Sequence, residues 1–147
     1  MRSSIAARMK ILFPILLAVA ITVAAEPVLP AVKLPPQARE VTLDEVQKLM
    51  AERPDIGVLD VRTSDEFAEL GRLPGAKHLD YFHEQFPAEL MKMGLDPSKP
   101  CIVYCALGGR AKRAAAILAQ AGFKDIVLPA GGFNAWKKSG KPVEGSR

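Results

Sequence analysis

The chain of 147 residues contains only two cysteines and two histidines, the residue types that most often cross-link a fold or bind a metal. Cys101 and Cys105 lie on one apolar segment, and a strand rising about 3.3 Å per residue places their Cα atoms about 13 Å apart. Bridged Cα atoms lie within about 7 Å, so this spacing excludes a disulfide between the two. His78 and His83 lack the spacing and the companion ligands of a zinc site. The sequence therefore predicts neither a metal nor another cofactor.

The chain also lacks a strong excess of one charge once its first segment is set apart. Three of the 20 basic residues precede Glu26, whereas all 16 acidic residues lie at or after it. The formal charge of +4 then falls to about +1, which gives no reason to expect nucleic acid as a partner. No internal repeat or low-complexity run is present.

The first segment has the pattern of a secretory signal peptide. Arg2, Arg8 and Lys10 precede an apolar run over residues 11–25, which ends in small residues. This pattern predicts a signal peptide over residues 1–25, cleavage near Ala25, and a protein that is periplasmic or secreted. An uncleaved membrane anchor is the less favoured alternative, because fifteen helical residues at about 1.5 Å each are shorter than a hydrocarbon core of about 30 Å. We expect membrane contact only through a leader that escapes cleavage.

The rest of the chain is predicted to be an extended lead-in followed by one domain. Residues 26–39 contain four prolines and are expected to lie outside the core. Residues 40–147 have the length of a single domain. Within them, short apolar segments predict strands at 56–61, 101–104 and 126–128, with a shorter strand at 78–81.

Helix signals alternate with these strands. Thr42 and Thr63 are each followed three residues later by a glutamate, which predicts two capping boxes. In the second of these helices, Phe67 and Leu70 are expected to face inward. Further helices are predicted at residues 84–93 and from near Ala111 to a terminating glycine at residue 122. The alternation predicts an α/β fold with a mostly parallel sheet, helices on both faces, and ligands near the carboxyl ends of the strands.

The segment from Cys105 to Arg110 joins the strand at 101–104 to the next helix, and it carries a thiol, two glycines and a guanidinium. The N–H groups of such a loop and of the first helical turn can converge on one point, where an anion is favoured. Lys112 and Arg113 add positive charge, and no acidic residue lies between residues 96 and 125. We therefore expect Cys105 to be a nucleophile, since these surroundings favour its thiolate.

Three ordered segments between about residues 41 and 143 resemble the rhodanese-like sulfurtransferases. They are Tyr104-Cys-Ala-Leu-Gly-Gly-Arg110; Leu59-Asp-Val-Arg62 with Glu66-Phe67 and Gly71-Arg-Leu-Pro-Gly-Ala76; and Gly131-Gly132 with Ala135-Trp136 and Gly140-Lys-Pro-Val143. The resemblance implies the three-layer rhodanese-like fold over residues 40–147 and a sulfurtransferase activity. It also implies that Asp60 and Arg62 form a structural ion pair.

The chain departs from the pattern of that family at three positions. Arg72 stands where a histidine is usual, Ala106 where an arginine often follows the nucleophile, and Ala111 where a serine is frequent. Ala106 bears on the choice of substrate rather than on the fold.

These observations predict transfer of a sulfane sulfur through a persulfide on Cys105. The donor is expected to be a small anion such as thiosulfate, and the acceptor a thiol, cyanide or a protein. Arg110 is expected to bind or orient the donor, because its planar donors suit an oxyanion. The residues expected to bind substrate are Ala106, Leu107, Gly108, Gly109 and Arg110.

Two alternatives remain open from the sequence. A cysteine phosphatase uses a related cradle of thiolate and arginine, but the resemblance would require five residues between them, and four separate Cys105 from Arg110. The second alternative is a non-catalytic exported binding module, although the intact Cys105 and Arg110 argue against it, whereas a carrier that passes sulfur to one protein would have the same sequence features.

Overall fold

The computed structural model describes residues 31–145. The predicted signal peptide over residues 1–25 and the part of the predicted lead-in at 26–30 lie outside this range. Within the described range, none of the helices combines the length and the apolar character needed to cross a membrane.

Five strands form one sheet through the described residues. In chain order they are β1 Ala38–Val41, β2 Gly57–Asp60, β3 Lys77–His78, β4 Cys101–Tyr104 and β5 Ile126–Pro129. They lie in the order β1-β5-β4-β2-β3, and every pairing is parallel. Parallel neighbours need long crossover connections, which the helices supply. The predicted α/β fold is confirmed.

Helices follow all five strands. They are α1 Leu43–Glu52, α2 Ser64–Leu70, α3 Phe86–Lys92, α4 Gly109–Gln120 and α5 Gly132–Lys138. The capping box predicted at Thr63 is present, since its hydroxyl accepts from the N–H of Glu66 and its own N–H donates to the Glu66 carboxylate. At the first helix only one half of the box forms, where Thr42 accepts from the N–H of Glu45.

Strand β4 shows how one short segment supplies both faces of the sheet. All four of its residues are buried, and side chains alternate between faces along a strand. Cys101, Val103 and the following Cys105 join the core cluster that also contains buried residues of α3 and α4. Ile102 and Tyr104 join the opposite cluster, which contains buried residues of α1 and α5. The sheet therefore has helices on both faces, in three layers as expected.

Three details differ from the sequence predictions. Strand β1 begins at Ala38, inside the segment expected to lie outside the core. It is an edge strand in which only Val41 is buried, so its sequence lacks the apolar run that predicts a buried strand. The short strand predicted at 78–81 lies instead at Lys77–His78. Helix α2 has no buried residue, and Leu70 is 42% exposed rather than facing inward, because this two-turn helix lies at the periphery of both cores.

Candidate active site

Cys105 lies directly after β4, which has β5 on one side and β2 on the other. The residue is only 1% exposed, yet it forms part of the wall of an open pocket of about 250 Å³. The other lining residues are Ala106, Leu107, Gly109, Arg110 and Arg113. The thiol is therefore at the bottom of an opening rather than enclosed in the core.

The loop bends so that its own backbone contacts the sulfur. The N–H of Gly108 donates to Cys105 Sγ at 3.0 Å. Gly108 has φ of 117°, a value that side chains other than hydrogen rarely allow, and α4 begins at the next residue. The glycine predicted to bind substrate is thus also the residue whose conformation turns the loop back over the thiol.

Two backbone N–H groups at the start of α5 hydrogen-bond to carbonyls of the loop. The N–H of Phe133 donates to the carbonyl of Cys105 at 2.8 Å, and the N–H of Asn134 donates to that of Ala106 at 3.1 Å. In a trans peptide the N–H points opposite to the C=O, so the amides of Ala106 and Leu107 point away from α5. Two hydrogen bonds from a distant helix therefore orient the backbone donors of the loop.

Gly132 is the point of closest approach between α5 and the loop. Its φ is 65°, and a Cβ at this position would lie 2.6 Å from the carbonyl oxygens of both Cys105 and Ala106. Only a residue without a side chain fits such a contact. The sequence signal for this role is the Gly131-Gly132 pair, which was linked to the family resemblance but was not predicted as part of the site.

Arg110 makes a two-pronged ion pair with Glu66 of α2. Its Nη1 donates to Glu66 Oε2 at 2.7 Å, and its Nη2 donates to Oε1 at 2.9 Å. The hydrogen bond from Arg110, helped by those from Thr63, lowers the pKa of Glu66 from 4.5 to about 2. The pKa of Arg110 is raised, first by the hydrogen bond to Glu66, then by the charge of Glu66, and less by the Cys105 sulfur.

Glu66 is a functional candidate that the sequence reasoning missed. The capping box with Thr63 and the segments that carry the family resemblance both contain the residue, but neither predicted it as part of the site. Its carboxylate completes both the cap of α2 and the clamp on Arg110, which lies 44 positions further along the chain. No local pattern links these two residues.

The three cations expected around the loop have different surroundings. Lys112 Nζ pairs with Glu40 Oε2 at 3.1 Å, and it does not line the pocket. Arg113 is exposed, lines the pocket, and forms no ion pair within residues 31–145. Leu107, at the pocket mouth, is 74% exposed.

The predicted ion pair of Asp60 and Arg62 is buried and structural. Arg62 Nη2 lies 2.6 Å from Asp60 Oδ2, and the same oxygen accepts from the hydroxyl of Tyr104 at 2.6 Å. Burial, followed by the nearby Asp60 charge, raises the pKa of Tyr104. Arg62 Cζ lies 3.9 Å above the ring of Phe133, so this network also supports the helix that holds the loop.

Cys101 has no part in the pocket around Cys105. It lies at the opposite end of β4, is 1% exposed, and burial raises the pKa of its thiol to about 12. Both cysteines are free, which confirms that they do not form a disulfide.

Comparisons with known proteins agree with this architecture. The rhodanese-like domain model matches residues 42–139. A sulfurtransferase of Allochromatium vinosum is 28% identical over 104 residues, covering 71% of this chain and 92% of its own length. The thiosulfate sulfurtransferase GlpE of Pseudomonas fluorescens is 36% identical over 80 residues, covering 54% of this chain and 69% of its own length.

A solved structure shows the same fold. The polysulfide-sulfur transferase homodimer of Wolinella succinogenes superposes with a TM-score of 0.62 at 34% identity, covering 73% of this chain and 78% of that one. These relatives support a rhodanese-type sulfurtransferase. By its fold and by the family match over residues 42–139, the chain belongs to the rhodanese-like domain family.

Proposed function

We propose that the protein transfers a sulfane sulfur through a persulfide formed on Cys105. One observation carries the proposal: the N–H of Gly108 lies 3.0 Å from Cys105 Sγ, in a loop whose carbonyls are held by α5. A sulfur anion at this position gains a backbone donor without any further rearrangement of the loop. An uncharged structural thiol would gain much less from such a donor.

The chemistry needs no group beyond the loop. The Cys105 thiolate attacks the outer sulfur of thiosulfate, a Cys105 S–S bond forms, and the S–S bond of the donor breaks. Sulfite leaves with the electron pair of that bond, so Cys105 retains a persulfide anion. Cyanide or a thiolate then attacks the outer sulfur, which restores the Cys105 thiolate. A thiolate needs no separate general base for this attack, and each step conserves charge.

The donor and the cellular setting form part of the same proposal. The names of two relatives point to thiosulfate and to polysulfide, both of which are anionic sulfane donors. The acceptor is a thiol, cyanide or a protein, and the reaction takes place in the periplasm or outside the cell, a setting that the signal-peptide pattern of residues 1–25 supports. The amides of residues 106–109 bind the sulfur anion, and Arg110 keeps the loop in place.

The direct test measures thiocyanate formed from thiosulfate and cyanide. We expect turnover by the wild-type protein, loss of at least about 1000-fold in Cys105→Ser, and little change in Cys101→Ser, which serves as the matched control. After incubation with thiosulfate alone, mass spectrometry should show an adduct of about 32 Da on Cys105, the mass of one sulfur. An adduct without turnover would indicate a carrier. Wild-type turnover in Cys105→Ser would refute the proposal.

A further inference from the structure

We propose that Arg113, rather than Arg110, is the residue that binds the anionic sulfur donor. This inference rests on the proposed function and adds the residue that selects for the charge of the donor. The inference follows from which of the cations near the pocket have acidic partners. Sequence spacing alone does not distinguish the cations that have such partners from the one that has none within the described residues.

Arg110 offers little net charge to an incoming anion. Both of its terminal nitrogens already donate to the carboxylate of Glu66, at 2.7 and 2.9 Å. The pair is electrically neutral as a unit, and a dianion near Arg110 also approaches the negative charge of Glu66. The contact with Glu66 uses two of the five N–H donors of the guanidinium, and it compensates the charge that would attract an anion. Its geometry suits a positioning residue that fixes the first turn of α4 against α2.

Arg113 has the properties that Arg110 lacks. It lines the same pocket as Cys105, it is exposed, and it has no acidic partner within the described part of the chain. It follows Gly109 by four residues on α4, so both lie on one face of the helix. A Cβ built on Gly109 would lie 4.0 Å from Arg113 Nη1. The guanidinium therefore extends back along the helix toward the loop, over a residue that leaves room for it.

This placement fits the two ends of a thiosulfate-like donor. The outer sulfur must reach Cys105 at the bottom of the pocket, which leaves the oxyanion end at the mouth. Arg113 offers that end a planar, two-pronged set of donors. When the S–S bond breaks, the released oxyanion is held by an exposed residue and leaves directly to solvent.

The first experiment compares three variants in the thiosulfate assay. Arg113→Gln should raise KM for thiosulfate about tenfold while changing kcat less than about twofold, since the lost contact acts on binding. Arg113→Lys should retain most of the affinity, because it keeps the charge. Lys112→Gln is the matched control: it removes a neighbouring charge that is paired with Glu40 and lies off the pocket, so its KM should stay at the wild-type value.

A second experiment measures how strongly the pocket attracts an anion, in an assay that involves no sulfur transfer. Cys105 is alkylated with iodoacetate, an anion, and with iodoacetamide, its neutral counterpart, in a Cys101→Ser background. Arg113→Gln should lower the ratio of the two rates about fivefold, and that effect should shrink at high salt. Lys112→Gln should leave the ratio unchanged.

The two experiments separate failure of this inference from failure of the proposed function. An unchanged KM and an unchanged alkylation ratio in Arg113→Gln would overturn the role of Arg113, even if the wild-type protein transfers sulfur. Absence of thiosulfate turnover in the wild-type protein, together with a lowered alkylation ratio in Arg113→Gln, would refute the transfer reaction but support Arg113 as the anion-binding residue.

Discussion

Replacement of Gly132 by alanine tests whether α5 determines the geometry of the active-site loop. The added Cβ would lie 2.6 Å from the carbonyl oxygens of Cys105 and Ala106. Contacts between carbon and carbonyl oxygen in proteins are about 3.3 Å or longer, so one backbone must move by about 0.7 Å. Both contacted atoms belong to the peptides that orient the loop amides, and no flexible side chain can absorb the movement.

The cost has two parts that can be worked out separately. Alanine at a φ of 65° costs about 1–2 kcal/mol of stability, whatever its neighbours. Weakening the hydrogen bonds from Phe133 and Asn134 adds about 1 kcal/mol each, so the total is about 3–4 kcal/mol. A displacement approaching 1 Å at a reacting group lowers the rate about 100-fold. We therefore expect Gly132→Ala to be folded but to have about 1% of the wild-type kcat.

Gly140→Ala is the matched control for this variant. Gly140 has a similar φ of 77°, but no heavy atom lies within 4 Å of where its Cβ would be. The variant should lose only about 1–2 kcal/mol of stability, because alanine is strained at this φ, and it should retain wild-type kcat. Urea unfolding gives the stabilities, and thiocyanate formation at a temperature where all three proteins are folded gives kcat. Wild-type kcat in Gly132→Ala would refute the idea that α5 positions the loop.

Two further predictions concern the side chains that support the site. Glu66→Gln should destabilise the protein by about 1–2 kcal/mol at pH 7. This value allows for solvent screening of the ion pair, because a quarter of the Glu66 side chain is exposed. The pKa of Glu66 is lowered from 4.5 to about 2, so its contribution to stability is complete above about pH 4.5 and is lost as pH falls toward 2. If the unfolding free energies of the wild-type protein and the variant differ by a constant amount over that interval, the role of the Glu66 charge is refuted. Tyr104→Phe should cost about 2–3 kcal/mol in urea unfolding, since it leaves the buried N–H of Leu73 and one contact of Asp60 without a partner, while kcat stays within about twofold. A larger loss of kcat would mean that Tyr104 acts on the site as well as on the core.

Much of the loop could be predicted from residues that are neighbours in the chain. An apolar run predicted β4 with its observed bounds, Cys101–Tyr104, and the following glycines predicted a tight turn before a helix. The four-residue spacing of the cysteines was enough to exclude a disulfide. Each of these conclusions depends on backbone geometry over a few residues, which local sequence constrains strongly.

The contacts that complete the site connect residues far apart in the chain, and they could not be read from it. Sequence spacing showed three cations near Cys105, but only the folded chain decides which of them keep acidic partners. Glu66 pairs with Arg110 across 44 positions and Glu40 pairs with Lys112 from the edge strand, whereas Arg113 has no acidic partner in the part of the chain that the structure describes. An ion pair depends on where two separate elements place their side chains, and periodicity within one element carries no information about that distance.

The amino-acid sequence by itself therefore determined strands β2, β4 and β5, their alternation with helices α1 to α4, and the turn that carries Cys105. The tertiary structure alone decided how α5 orients the peptides that carry the Ala106 and Leu107 amides, and which guanidinium lining the pocket has no acidic partner within residues 31–145. The physical reason is that strand and turn formation depends on neighbouring residues, whereas the orientation of a peptide or a charge depends on partners brought together by the fold.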